Sequence, residues 1–221
     1  MFAHGVGGGQ DLPIPPEYAV VGAAWALVIS FAVMAFAWRA SRFRGDESGV
    51  PLPSRLAAVL DSAILRGTVR ALALAFTALF LTALVFGPDR LTNPTFGAFY
   101  VLIWVGIVPA SLLFGRIWRL VSPVRLLHLA LSRLMRTDPD AGLGELPSWV
   151  GYWPAALGLL SFVWLELVYP SSTYLTPVRT WIGAYTVILL VGSVAFGRRW
   201  FAQADPFEVF SSFVARLSPF G

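Results

Sequence analysis

The chain has 221 residues, of which 57% are hydrophobic and 13% charged, with a mean hydropathy of +0.71. All sixteen basic residues are arginines, the formal net charge is +4, and cysteine is absent. Such a composition leaves too little polar surface to cover a soluble fold of this size, and the lack of cysteine excludes disulfides, thiolate catalysis, iron–sulfur clusters and cysteine-ligated zinc.

Residues 1–17 read as an external arm rich in glycine and proline. His4 precedes the run Gly5, Gly7, Gly8 and Gly9, and Asp11 opens the stretch to Pro16. Glycine density lets backbone amides approach a ligand, but no strand leads in and no Gly-Lys-Ser follows, so a phosphate loop is a poor match. The arm lacks a basic segment followed by an apolar core, so a cleaved signal peptide is not expected and the first span reads as an uncleaved anchor.

The remainder, 18–221, reads as one all-α transmembrane bundle. Crossing about 30 Å of hydrocarbon takes about 20 apolar residues, which predicts five spans near 18–38, 69–86, 96–114, 149–168 and 181–196. The second and fifth are short; Arg70, Arg198 and Arg199 at their ends have stems long enough to carry the charge to the headgroups. Fourteen arginines fall on one side of these spans and only Arg90 and Arg179 on the other. Short-loop arginine marks the cytoplasmic side, so the N-terminus is expected outside and the C-terminus inside a cell membrane. The pI near 10 is therefore a topology signal. Nucleic-acid binding would need the basic residues on an independent soluble surface, and none is long enough.

An ordered set of matches suggests a duplication. Leu84-Val85-Phe86, Pro88, Leu91-Thr92, Pro94, Gly97-Ala98, Phe114-Gly115-Arg116, Trp118 and Pro123 reappear as Leu167-Val168-Tyr169, Pro170, Leu175-Thr176, Pro177, Gly183-Ala184, Phe196-Gly197-Arg198, Trp200 and Pro206. The predicted units, roughly 69–136 and 149–217, are helical hairpins running in the same direction, a parallel repeat. Each ends in Ser122-Pro123 or Asp205-Pro206, an N-cap followed by proline at the first helical position. The amphipathic helices that follow are expected either in the inner interface or packed on the ends of the bundle.

Pro109 within the third span predicts a kink. Trp149, Trp153, Trp181 and Trp200 read as an aromatic belt. His128 reads as the polar edge of an interfacial helix, on the other side of the membrane from His4, so the two cannot share a metal. Glu166 is the one carboxylate within an apolar span, and an ionisable group at membrane depth is a functional candidate by default. Together with His4 and Asp11 it makes a candidate external polar site. No confident metal ligand set and no cofactor emerge.

The opening Ala3-His4-Gly5-Val6-Gly7-Gly8-Gly9-Gln10-Asp11-Leu12-Pro13-Ile14-Pro15, with Asp205-Pro206-Phe207-Glu208-Val209 and Leu217-Ser218-Pro219-Phe220-Gly221, resembles a family of polytopic bacterial membrane proteins of unknown function, some labelled fenitrothion hydrolase. The resemblance implies a longer protein of which this chain is the N-terminal portion, and hydrolysis of an organophosphate triester. Such chemistry ordinarily uses metal-activated water held by several histidines and carboxylates, and one external histidine gives only a sparse site. Two function classes follow: a non-enzymatic transport element or membrane-complex subunit, with lipid, other subunits or a missing C-terminal half as partners, and a membrane-bound hydrolase with an external site.

Overall fold

A computed structural model describes residues 15–37, 58 and 62–218. They belong to two compact units, Met1–Gly49 and Val50–Gly221. Among the described residues every regular element is helical, as the composition leads one to expect. Four helices are long and apolar enough to cross a membrane, and a bent pair makes a fifth if it counts as one span.

The first unit contributes α1 (Pro16–Ala37), apolar on every side and exposed along its length within its own unit. A helix with no polar face has no side to turn toward water, which is the pattern of a membrane span.

The second unit begins with α2 (Ala63–Phe86), started by Ser62, whose hydroxyl accepts from the Leu65 N–H at 3.2 Å. A single turn, α3 (Pro94–Phe96), runs into a π-helical segment, Gly97–Ile103. Then come α4 (Ile107–Phe114), α5 (Trp118–Val121), α6 (Pro123–Met135), α7 (Trp153–Leu167), α8 (Leu175–Phe196), α9 (Arg199–Ala204) and α10 (Pro206–Ala215). The helix α8 starts six residues before the predicted span 181–196, so Trp181 lies in the packed interior rather than at a span end.

The third span is bent by 42° between Ile103 and Ile107. Pro109 has no N–H for the Val105 carbonyl, so the regular ladder fails one turn upstream, and the Gly106 N–H reaches back five residues to the Val101 carbonyl at 3.2 Å. The wide π turns set Phe99 and Tyr100 side by side in the core. Phe162 of α7, fully buried, is ringed there by Phe99, Trp104, Trp181 and Phe207 at centroid distances of 5.1–5.5 Å. This aromatic cluster draws on the π segment, α7, α8 and α10, and it fills the space between the long helices.

One end of the unit is closed by loop-to-helix bonds. The last carbonyls of α2 receive the Asn93 amide (Ala83, 3.1 Å) and the Arg179 guanidinium (Leu84, 2.7 Å; Val85, 3.2 Å). Asp89 in turn accepts from the first N–H of α8, that of Leu175, at 2.9 Å. Orphan groups at helix ends are thus met by polar side chains of neighbouring segments rather than by water.

Candidate functional site

Of the candidate site residues read from the sequence, Glu166 alone lies among the described residues. His4 and Asp11 lie outside the described residues. Glu166 is half-buried near the end of α7 and, among the described residues, makes no hydrogen bond or ion pair. Asp89 and Arg179, at the same end, are engaged by Leu175 and by the carbonyls of α2. Among the described residues no group of three His, Asp or Glu side chains is placed to hold a metal ion.

The concentrated polar chemistry lies at the other end, where the chain leaves α4 and α8. Both helices stop at a glycine with positive φ, Gly115 (72°, ψ −143°) and Gly197 (64°, ψ −160°), a conformation essentially restricted to glycine. A short helix follows each stop, α5 or α9, and then a residue with extended backbone, Ser122 or Asp205, starts the next helix ahead of proline. Ser122 accepts from the Arg125 N–H at 3.5 Å, and Asp205 accepts from the Phe207 and Glu208 N–H groups at 3.0 and 3.3 Å.

These two helix starts meet. The Ser122 hydroxyl donates to Asp205 Oδ2 at 3.5 Å, so N-cap touches N-cap. Three residues on, Arg125 grips Glu208 in a bidentate pair, Nε to Oε2 at 3.0 Å and Nη2 to Oε1 at 2.7 Å. Both partners are buried, and the guanidinium also lies over the Phe201 ring at 5.1 Å. Burial pushes the Glu208 carboxyl up and the Arg125 guanidinium down, each opposed by the partner's charge, and the fork geometry of the contact keeps both ionised.

Asp205 is fully buried and accepts from five groups. Besides Ser122 and the two amides, it receives the Trp118 indole N–H at 3.0 Å and the Tyr185 hydroxyl at 3.1 Å. Desolvation, helped by the nearby Glu208 charge, raises its pKa to about 6, while the donors around it hold the value down. Every one of these partners is a donor, so at neutral pH the carboxylate form is the one the site accommodates.

Two further pairs complete the arrangement. The Ser111 and Ser211 hydroxyls share a hydrogen bond at 2.8 Å between α4 and α10. His128 of α6 bridges the Ser193 hydroxyl (3.0 Å from Nδ1) and the Pro139 carbonyl (3.1 Å from Nε2). A carbonyl only accepts, so Nε2 carries a proton. The expectation that His128 is an interfacial polar edge is therefore corrected: it is buried, because α6 turns Arg125, His128 and Ser132 into the protein and leaves Leu127, Leu131 and Leu134 exposed. On α10, Glu208 and Ser211 are likewise buried, together with Phe207 and Val209.

Beyond His128, the segment after α6 is zipped onto the end of α8. The Leu143 and Gly144 N–H groups donate to the Val194 and Ala195 carbonyls at 3.3 and 2.9 Å, the Arg198 N–H donates to Pro139, and the Arg198 side chain clamps Asp140. The guanidinium holds the exposed Asp140 carboxyl below its ordinary range. A pocket of ≈ 490 Å³ lies alongside, lined by Gly142, Gly144, Glu145, Phe196 and Arg199 among others, and it contains no histidine.

Chemically, the buried cluster is saturated. Its acids face donors, its arginine faces a carboxylate, and no nucleophile stands beside an unengaged base. The sequence marks Asp205 as an N-cap but does not pair it with Trp118 and Tyr185, or Glu208 with Arg125. The available signal was the matched pair Ser122-Pro123-Val124-Arg125 and Asp205-Pro206-Phe207-Glu208, with opposite charges at the same cap offset. No family model, no curated protein and no solved structure matches this chain.

Proposed function

We propose that this chain is a non-enzymatic component of a bacterial cell membrane, the subunit of a larger membrane assembly, inserted with its arginine-rich end in the cytoplasm and its N-terminus outside. The observation that carries this reading is the closed polar cluster: its buried acids, its arginine and its histidine are used to join the helices of the second unit. Between a subunit and a transport element, the aromatic packing around Phe162 favours the subunit, because it fills the space between the described long helices of the second unit with apolar rings. The orientation rests on arginine placement. Among the described residues, Arg66, Arg70, Arg116, Arg119, Arg125, Arg133, Arg136, Arg198, Arg199 and Arg216 belong to segments at the cluster end, and only Arg90 and Arg179 to the other.

A parallel duplication underlies the cluster. Ser111 and Ser193 each stand four residues before the stop glycine of their helix, and His128 and Ser211 each stand six residues after their N-cap. Ser111 bonds Ser211 and Ser193 bonds His128, so each hairpin's exit helix is held by the opposite hairpin at the equivalent place. Ser122 with Asp205 and Arg125 with Glu208 repeat that reciprocity across a common centre. The helices after Pro123 and Pro206 lie at the inner membrane surface with their polar sides turned into this joint.

Extraction of the full chain from its native membrane in a mild detergent, followed by native electrophoresis and assay of organophosphate hydrolysis, tests the reading. It predicts a discrete assembly larger than the chain and no turnover. A species of single-chain mass that hydrolyses the ester would overturn it in favour of the hydrolase.

A further inference from the structure

Among the described residues, the arginine-rich end carries more cations than carboxylate partners. Among its described arginines, Arg125 and Arg198 have carboxylate partners in Glu208 and Asp140. Asp205 is filled by its five donors, and Asp138 accepts from the Asp140 N–H. Arg70, Arg116, Arg119, Arg133, Arg136 and Arg199 make no ion pair among the described residues.

Arg70 differs from the rest of this set. It lies on α2 seven residues after Ala63, roughly 10 Å along the helix from its start, within a stretch apolar enough to cross a membrane. It is half-buried, and its Nε is sealed from solvent with no hydrogen-bond acceptor. A guanidinium nitrogen at that depth without an acceptor costs free energy comparable to a lost charged hydrogen bond, a cost that an anionic ligand would relieve. The helix α2 packs on α5 and α6, and α5 carries Arg119, with Arg116 two residues before its start. Ile64, Leu72 and Leu74 are exposed on α2 on either side of Arg70, an apolar surface for acyl chains.

We infer that the corner between α2 and α5 is a binding site for the phosphate of an anionic phospholipid, with the Arg70 guanidinium as its anchor and Arg116 and Arg119 supplying the surrounding positive field. A phosphodiester offers acceptor oxygens in the fork geometry a guanidinium matches, and its acyl chains hold it at the depth where Arg70 sits. A neutral phosphocholine lipid presents the same phosphate shielded by its own cation, so net headgroup charge separates the two.

The test is thermal unfolding of the purified full chain in detergent, followed by tryptophan fluorescence. Phosphatidylglycerol, phosphatidylcholine or soluble glycerol phosphate is added at equal concentration. Near a hundredfold excess over Kd, phosphatidylglycerol is expected to raise Tm by roughly 5–10 °C, and the other two by much less. Arg70→Gln should remove more than half of that increment and Arg70→Lys should keep more of it, while Arg133→Gln, on α6, should leave it intact. Equal stabilisation of the wild-type chain by phosphatidylcholine would overturn the site. Equal stabilisation by glycerol phosphate would assign it to a soluble phosphate instead of a lipid, and an unchanged increment in Arg70→Gln would remove Arg70 as its anchor.

Discussion

Asp205 shows how one residue can start a helix and hold a fold together. Its carboxylate caps α10 through the Phe207 and Glu208 amides, and its remaining capacity takes Trp118, Ser122 and Tyr185 from three other elements. Burial raises its pKa to about 6 from an ordinary 3.8. A group whose folded pKa lies above its unfolded value binds its proton more tightly when folded. Its contribution to stability is therefore greatest below about 3.8, and it falls as pH rises through 6. Two pH units correspond to about 3 kcal/mol. Asp205→Asn should flatten the pH dependence of unfolding between pH 4 and 7 by an amount of this order, read from thermal melts across that window. A pH profile identical to wild type would show that Asp205 does not titrate there.

At the scale of elements, much of the architecture was legible. Length and hydropathy locate the long helices, Pro109 signals the bend, and Ser122-Pro123 and Asp205-Pro206 mark the starts of α6 and α10. The face each exit helix buries was not legible. A hydrophobic stripe beside a membrane suggests apolar residues facing protein and polar ones facing water, whereas α6 buries Arg125, His128 and Ser132. Only the partners, Glu208 at a separation of 83 residues and Ser193 at 65, make that burial tolerable, and a one-dimensional pattern carries no record of them. The π-helical turns, Gly97–Ile103, have no comparable signal in the sequence. The stop glycines were visible as repeated Phe-Gly-Arg but not as strained backbone. Replacing either Gly115 or Gly197 with alanine should cost about 1–3 kcal/mol by denaturant unfolding. Gly197→Ala should cost more than the φ penalty alone, because a Cβ there collides with the Asp140 carbonyl and must displace the segment zipped onto α8. A neutral Gly197→Ala would contradict that packing.

For the molecule as a whole, the second unit is closed at one end by loop-to-helix bonds and at the other by the joined caps, with an aromatic interior between. Of the sequence-derived site of His4, Asp11 and Glu166, Glu166 alone lies among the described residues. The joint that organises the fold was hidden because its pairs are separated by 65 to 100 residues, and because arginine near a span end reads first as topology. In the proposed subunit, this joint is what makes two hairpins behave as one body. The most direct measurement is a double-mutant cycle on Arg125 and Glu208 by reversible unfolding in detergent. Arg125→Met or Glu208→Leu alone leaves a buried charge without its partner and should cost about 3–5 kcal/mol, whereas the double variant should recover most of that loss. Additive losses, or single variants as stable as wild type, would contradict the account.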